Sequence, residues 1–292
     1  MHVIYHKEYS DKKATLCNQN VVPFFEMEGL REISFITHGF STKLGGVSEN
    51  ELSSMNLSFT RGDNPENVYT NYSRICEALN VPRESLVFSD QVHSTNVVRV
   101  GKENILGSVS DTKQPPQKLL QGVDGMITNE PGVTLVTFFA DCVPLFFVDT
   151  KNRAIGLVHS GWRGTAGKIG AIALEKMRKE FGTDPKDVVA AIGPSICKDC
   201  YEVSEDLLEE FRVSFTMEQC KRIFQPKGNH KYLLDLWKAN EILISEAGVL
   251  PENISVSGVC TCCNHELLFS HRYTNGKRGN LNAFLSINSV KI

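Results

Sequence analysis

The chain has 292 residues, a formal net charge of -3, 41% hydrophobic and 22% charged residues. Such a composition excludes the disordered class, and the absence of a basic block argues against nucleic acid as a partner, since that binding rests on clustered Lys and Arg. The length supports a large core, and one domain over residues 1–292 is expected, with 1–30 a poorly defined N-terminal segment.

No uninterrupted apolar run approaches a membrane span, and MHVIYHKEYSDKK lacks the apolar core of a signal peptide, so a cytoplasmic protein with no membrane partner is expected. Nine cysteines is an odd number in a long chain. It suits thiols and one metal site better than a disulfide framework.

Within residues 1–30 only 21–25 reads as a strand. From Ile33 a short strand leads into a polar loop punctuated by Gly45 and Gly46. Asn64 then caps a helix that has Pro65 at its first position and Val68, Tyr72, Ile75 and Leu79 on its apolar face, stopping before Pro82. A strand at 86–88 precedes SDQVHSTNVVRV, where His93 falls between two β-favouring segments. Residues 101–121, with Pro115-Pro116, read as an exposed flexible loop.

Three apolar, β-rich runs follow at 133–140, 143–148 and 154–158. They are interrupted by Asp141, Cys142 and His159, with Arg163 just beyond, polar residues that a buried sheet carries only with partners. The glycine-bracketed GWRGTAG turn opens a helix at 165–181, with Ile169, Ile172, Ala173 and Met177 on one face and Gly182 past its end. A strand at 188–192, helices at 204–215 and 235–247, and strands at 254–259 and 281–287 complete an α/β or α+β chain without a dinucleotide-binding glycine fingerprint.

His93, Cys142 and His159 together form a donor set that suits a catalytic zinc with one open position. The same groups would serve a metal-free hydrolase with a Cys nucleophile and a His base, and both readings stand on residue types alone. A cytidine-deaminase site is disfavoured, because neither His93 nor His159 starts a His-x-Glu pattern and Pro194 does not directly precede Cys197. A multi-copper phenol oxidase is poorly supplied by eight histidines with no His-x-His pair. Cys197 and Cys200 on one side, and Cys260, Cys262 and Cys263 on the other, offer a second cluster for a structural zinc or a redox pair, but without the regular spacing of a paired zinc knuckle they are read as ordinary core or surface thiols.

Arg163, between Gly161 and Gly164 at a helix start, is placed to bind an anion or to pair with Asp141. Asn56, Arg61, Lys43 and Arg272 are further candidates for substrate or phosphate contacts.

The segments THGFSTKLGGVS, SMNL, DQVHS, GVDGMIT, FFADCVPLFFVD, GLVHSGWRGTAG, AIGPSIC with CYEV, LDLWKAN, and CT followed by FSHR resemble the YfiH/YlmD-like family of purine nucleoside phosphorylases, once labelled polyphenol oxidases or laccases. The resemblance runs from about Ile33 to the C-terminus. It implies a single-domain α/β/β/α sandwich and a zinc ion, with copper as the alternative metal, held by His93, Cys142 and His159.

It also implies phosphorolysis of adenosine, inosine, guanosine and S-methyl-5'-thioadenosine, with adenosine deamination beside it. Cys142, His93, Asp141 and Arg163 would be catalytic, Asp141 handling a proton, in an enzyme whose partners are nucleosides and phosphate and whose expected state is a monomer. The chain departs from the family pattern at Ser270-His271-Arg272-Tyr273 and Gly279-Asn280. Two expected arginines are absent there, and Arg278 is the available substitute.

Overall fold

The long apolar runs in the middle of the sequence become strands buried along nearly their whole length, and a computed structural model of the chain shows what covers them. The structure describes residues 1–9, 14–18, 22–105 and 119–289, so most of the loop expected at 101–121 lies outside the described residues. Among the described residues the strands form three sheets.

A seven-stranded sheet has the spatial order Ala14–Cys17, Phe24–Met27, Ile36–Ser41, Leu281–Ile287, Thr134–Phe139, Leu86–Asp90, Leu120–Gln121. A six-stranded sheet runs Ile254–Val256, Val188–Ile192, Val143–Asp149, Ala154–Ser160, Gly125–Thr128, Val97–Arg99. Both mix parallel and antiparallel pairs. Glu202–Ser204, Lys231–Leu234 and Phe224–Gly228 make a small antiparallel sheet.

The two large sheets share a filling that includes Phe25, Phe40, Leu135, Phe146 and Leu285. Burying side chains of this size contributes about 1.5–3 kcal/mol each, which is why the polar residues at the strand ends are tolerated. Helix Pro65–Leu79 covers the outer side of the seven-stranded sheet through Tyr72, Ile75 and Leu79 against Phe88, Val136 and Phe284. Helices Ile169–Phe181 and Leu236–Glu246 cover the six-stranded sheet through Ala173, Met177, Trp237 and Leu243. The result is the expected α/β/β/α sandwich. No helix among the described residues is long and apolar enough to cross a membrane.

The local signals behave unevenly. Asn64 caps its helix by accepting the Glu66 N–H, Pro65 opens it, and Asn80 closes it in the left-handed region. The helix expected at 165–181 is instead two, Trp162–Ala166 and Ile169–Phe181. Lys168 between them has φ 60°, and a Cβ on Gly167 would lie 2.5 Å from Thr95 Cγ2, so close packing of the loop around Thr95 interrupts the helix.

The helix expected at 204–215 ends at Arg212, and a second, Met217–Ile223, starts at a capping box between Thr216 and Gln219 that the sequence reading passed over. The strand expected at 254–259 stops at Val256 because Gly258, at φ 65°, turns the chain. Near the N-terminus the strand is Phe24–Met27, not 21–25; Val21 lies outside the described residues. It is joined by Ala14–Cys17, which was not anticipated.

One buried titratable group in this frame has a consequence for stability. His38 is 5% exposed, and its Nε2 accepts the Met27 N–H at 2.9 Å. Burial brings its pKa down to about 4, with Glu26 opposing and Arg31 assisting that shift. Between the ordinary value near 6.5 and about 4, the unfolded chain binds a proton that the folded chain refuses, so stability falls as pH is lowered through that window. The loss is about 3 kcal/mol over the whole window. Urea unfolding from pH 7 to pH 4 should show His38→Gln, whose amide oxygen still accepts the Met27 N–H, losing less stability on acidification than the unaltered protein.

Candidate functional site

The chain passes from one large sheet to the other at residues 140–142: Thr134–Phe139 belongs to the seven-stranded sheet and Val143–Asp149 to the six-stranded one. Asp141 makes this crossing with φ 85°. Cys142 therefore stands at the root of Val143–Asp149. The antiparallel register, pairing His159 with Pro144 and Ser160 with Val143, brings His159 back beside it. His93, at φ 61°, reaches the same point from the loop after Leu86–Asp90.

The ligand atoms of His93, Cys142 and His159 all lie within 4.8 Å of one another. Cys142 Sγ is 3.9 Å from His93 Nε2, and the two imidazoles meet edge to face with centroids 4.9 Å apart. A Cβ at Gly161 would lie 3.0 Å from His93 Cδ2 and 3.2 Å from Cys142 Sγ, so the absence of a side chain there leaves the three groups room to converge. One thiolate and two imidazoles fit the donor preferences of zinc, with a fourth position open.

What holds the histidines is Asp124, at 0% exposure. Its carboxylate accepts the N–H groups of Val92, His93 and Ser94 at 3.2, 3.0 and 2.8 Å, and the Ser94 hydroxyl at 2.8 Å. It also lies 2.9 Å from His159 Nδ1, which must carry a proton toward this acceptor and so turns Nε2 toward Cys142. Burial would raise this carboxyl, but the bonds from His159 and Ser94 outweigh it and hold the pKa at about 2. Asp124 lies within GVDGMIT and is not among the residues the sequence analysis singles out. The signal was there, an acidic residue beside a β-rich run, the same signal that drew attention to Asp141.

Without a metal the three groups polarise one another. Burial would push the Cys142 thiol up, but the facing His159 and His93 outweigh it and bring it down to about 6. Burial would likewise lower His159, but Cys142 and Asp124 outweigh it and raise it to about 9.

His93, Asp141, Cys142 and His159 open onto a cavity of about 660 Å³. Arg61, Arg272, Arg278 and Asn280 line it, as do the aromatic rings of Phe138, Trp162 and Tyr201. Arg61 Nε donates to Asn280 Oδ1 at 3.3 Å, and Arg278 donates to the same oxygen. Arg278 is 8% exposed, and its Nε has no hydrogen-bond partner among the described residues. Burial, with Arg61 nearby, lowers its guanidinium to about 10.

The other sequence candidates sit differently. Arg163 is exposed and is not itself among the lining residues; it stacks at 4.2 Å on the ring of Trp162, which is, and its charge acts on the lining Tyr201. Arg163 is not the partner of Asp141. Asp141 Oδ1 accepts the Thr261 hydroxyl at 2.6 Å and Oδ2 the Arg272 N–H at 2.7 Å, so both carboxylate oxygens tie loops together.

Asn56 is buried behind the lining, where it accepts the Asn280 N–H at 3.0 Å and donates to Asp63. Lys43 anchors loops through its backbone, which bonds Leu267, Ser54 and Met55. Arg272 lies over the Tyr201 ring and donates to the Glu202 carbonyl at 3.1 Å. Tyr201, Trp162 and Asn280 were missed as lining residues, since no spacing rule connects them to the triad.

A family model described as "Multi-copper polyphenol oxidoreductase laccase" matches residues 37–288. The chain is 38% identical over 255 residues to a protein of Bacteroides thetaiotaomicron named purine nucleoside phosphorylase, a match spanning 87% of this chain and 92% of that one. It is 34% identical to the Bacillus subtilis protein named purine nucleoside phosphorylase YlmD, over 85% of this chain and 87% of that one. Among solved structures, YlmD from Geobacillus stearothermophilus superposes with TM-score 0.84 at 31% identity, covering 99% of this chain and 100% of that one. The hypothetical protein YfiH of Bacillus licheniformis superposes with TM-score 0.86 at 30% identity, covering 94% and 99%.

The shifted thiol is directly measurable. In chelator-treated protein the alkylation rate of Cys142 should be nearly constant above pH 7 and fall below about pH 6. His159→Gln, which removes the principal stabiliser of the thiolate, should move that inflection upward by at least one pH unit, about 1.4 kcal/mol of lost interaction. An unmoved inflection, followed by mass spectrometry of the labelled peptide, would show that His159 does not set the reactivity of Cys142.

Proposed function

This chain belongs to the YfiH/YlmD-like purine nucleoside phosphorylase family, and from that premise we propose that it is a zinc-dependent purine nucleoside phosphorylase. Adenosine, inosine, guanosine and S-methyl-5'-thioadenosine are its assigned substrates, and adenosine deamination is a second outlet of the same cavity. One observation carries the reading: the Cys142, His93 and His159 donors and the Arg61 and Arg278 guanidiniums face a single cavity of about 660 Å³, within the range of small-molecule sites. When bound at these donors, zinc supplies a Lewis acid.

In phosphorolysis an oxygen of phosphate bonds to C1′ while the bond from C1′ to the base breaks. The electron pair leaves with the base, and positive charge builds on the ribose. Arg278 suits the phosphate role because it is desolvated, has a free Nε donor and is destabilised by Arg61; an anion between the two guanidiniums relieves both conditions.

His271 lines the same cavity, and burial together with Arg278 lowers its pKa, which favours the neutral imidazole able to accept a proton from phosphate. The rings of Phe138, Trp162 and Tyr201 offer apolar walls to a purine and exclude water around the reacting carbon. Asp141, with both oxygens engaged, is a positioning residue.

The second reading is a copper-dependent phenol oxidase, favoured by the wording of the family description. Two imidazoles and one thiolate are a thin donor supply for several copper ions. Copper content together with oxygen uptake on a phenol would replace the first reading with this one.

The deciding assay incubates the protein with adenosine, with and without phosphate, and separates adenine, inosine and hypoxanthine. Adenine should form only with phosphate, and inosine should form without it; no base release from any of the four nucleosides would end the reading. Cys142→Ala should abolish both reactions and lose the zinc held in the cavity, whereas an unchanged zinc content and full phosphorolysis would remove Cys142 from the ligand set. Arg278→Gln should raise the phosphate KM by about 10–100-fold, the worth of charge-assisted hydrogen bonds, and harm deamination less. Arg163→Ala should change that KM by a smaller factor, and equal effects would return the phosphate role to Arg163.

A further inference from the structure

The cysteines set aside in the sequence do not remain apart. Cys197 and Cys200 bracket a single helical turn, Lys198–Cys200, shortly after strand Val188–Ile192. Cys260 and Cys263 lie beyond Ile254–Val256, on a segment bridged to the first by the Ser195–Cys260 pair and by the Thr261 N–H to the Ser195 carbonyl at 3.1 Å. Both pairs have the same Cys-x-x-Cys spacing, which the sequence reading obscured by treating Cys262 as part of the pattern.

The N-terminal segment closes the group. Tyr5 bridges Val259, the His6 N–H donates to the Gly258 carbonyl at 2.9 Å, and Ile4 exchanges hydrogen bonds with the Asn264 amide at 2.8 and 3.0 Å.

The donor atoms of His6, Cys197, Cys260 and Cys263 consequently lie within 4.8 Å of one another, with Cys197 and Cys260 buried. A tetrahedral zinc with sulfur ligands at about 2.3 Å sets its sulfurs about 3.8 Å apart. Here Cys197 and Cys263 are separated by 4.0 Å, and Cys263 Sγ is 3.9 Å from His6 Nε2. Cys260 Sγ receives the N–H groups of Cys197 at 3.3 Å and Cys263 at 3.4 Å, an arrangement that favours a thiolate and orients it as outer hydrogen bonds orient metal ligands. Four thiol and imidazole donors, half of them buried and mutually within reach, have no role in the cavity chemistry.

We propose that His6, Cys197, Cys260 and Cys263 bind a structural zinc ion separate from the cavity, the bound thiols releasing their protons to solvent. Four protein donors leave no open position, as befits a structural and not a catalytic site. Cys200, 3.5 Å from Cys263, stands outside the set as its neighbour. The ion clamps the N-terminal segment onto the loop that carries Thr261, whose hydroxyl holds Asp141. The N-terminal segment thereby braces the crossing at the cavity.

The test uses the full chain carrying Cys142→Ala, expressed in zinc-supplemented medium and desalted, with zinc counted by elemental analysis. One zinc per chain is expected, falling to none when Cys197→Ser and Cys263→Ser are added. Because the double serine change can prevent folding, alkylation is also mapped on the Cys142→Ala chain. Cys197, Cys260 and Cys263 should resist iodoacetamide until a chelator is added, and cobalt substitution should give a thiolate-to-metal charge-transfer band.

No zinc in the Cys142→Ala chain, zinc unchanged in a folded serine variant, or a Cys200–Cys263 disulfide in the intact mass would each overturn the proposal. None of these results bears on phosphorolysis by the unaltered protein. An inactive chain that still carries this zinc would overturn only the functional reading.

Discussion

A single buried carboxylate organises the site. Asp124 satisfies three consecutive backbone N–H groups and one hydroxyl of the loop carrying His93, while its other contact orients the His159 ring on a strand of the six-stranded sheet. A carboxylate at 0% exposure is costly unless each lone pair is used, and here the donors are already fixed by the chain. Its acceptor character selects the imidazole tautomer, and its position sets how closely the two histidines approach. The geometry of the donor set thus follows from hydrogen bonding that is present before any ion is bound.

The neighbouring backbone carries the strain this convergence requires. His93 and Asp141 both occupy the left-handed region, at φ 61° and 85°, where a non-glycine residue is disfavoured by roughly 1–2 kcal/mol. Each is held by contacts on more than one side. The His93 N–H is bound by Asp124, and the Asp141 side chain is bound by Thr261 and by the Arg272 N–H. The apolar filling between the sheets makes those contacts worthwhile, because the crossing at 140–142 cannot relax without disturbing Phe139 and Val143, both buried.

Much of this was legible from residue types. Apolar β-rich runs broken by Asp141, Cys142 and His159 announced strand ends that carry chemistry, and His93, far away in order, joined them in space. Asp124 was harder to see because most of its partners are main-chain N–H groups, which leave no trace in a pattern of side chains. For Arg163 the flanking glycines describe an accessible backbone, not the direction of a guanidinium, and its stacking on its own neighbour Trp162 was not legible there. The break at Gly167 and Lys168 depends on a loop some seventy residues upstream around Thr95, a tertiary contact that overrides a good helical pattern. The cysteine pairs and His6 lie far apart in the chain, and the first of these segments has no periodicity to read.

The cavity draws its walls from both layers of the sandwich. Phe88 and Phe138 come from the seven-stranded sheet, whereas Cys142 and His159 stand at the ends of the two central strands of the six-stranded one. Its width is therefore a gauge of how the layers are stacked. Trimming a side chain in the shared filling lets one layer slip against the other and alters the aperture while every lining residue stays as it was, because a close-packed interior transmits such displacements. Substrate selectivity in this architecture is accordingly tunable from the interior of the protein, at positions no ligand ever touches.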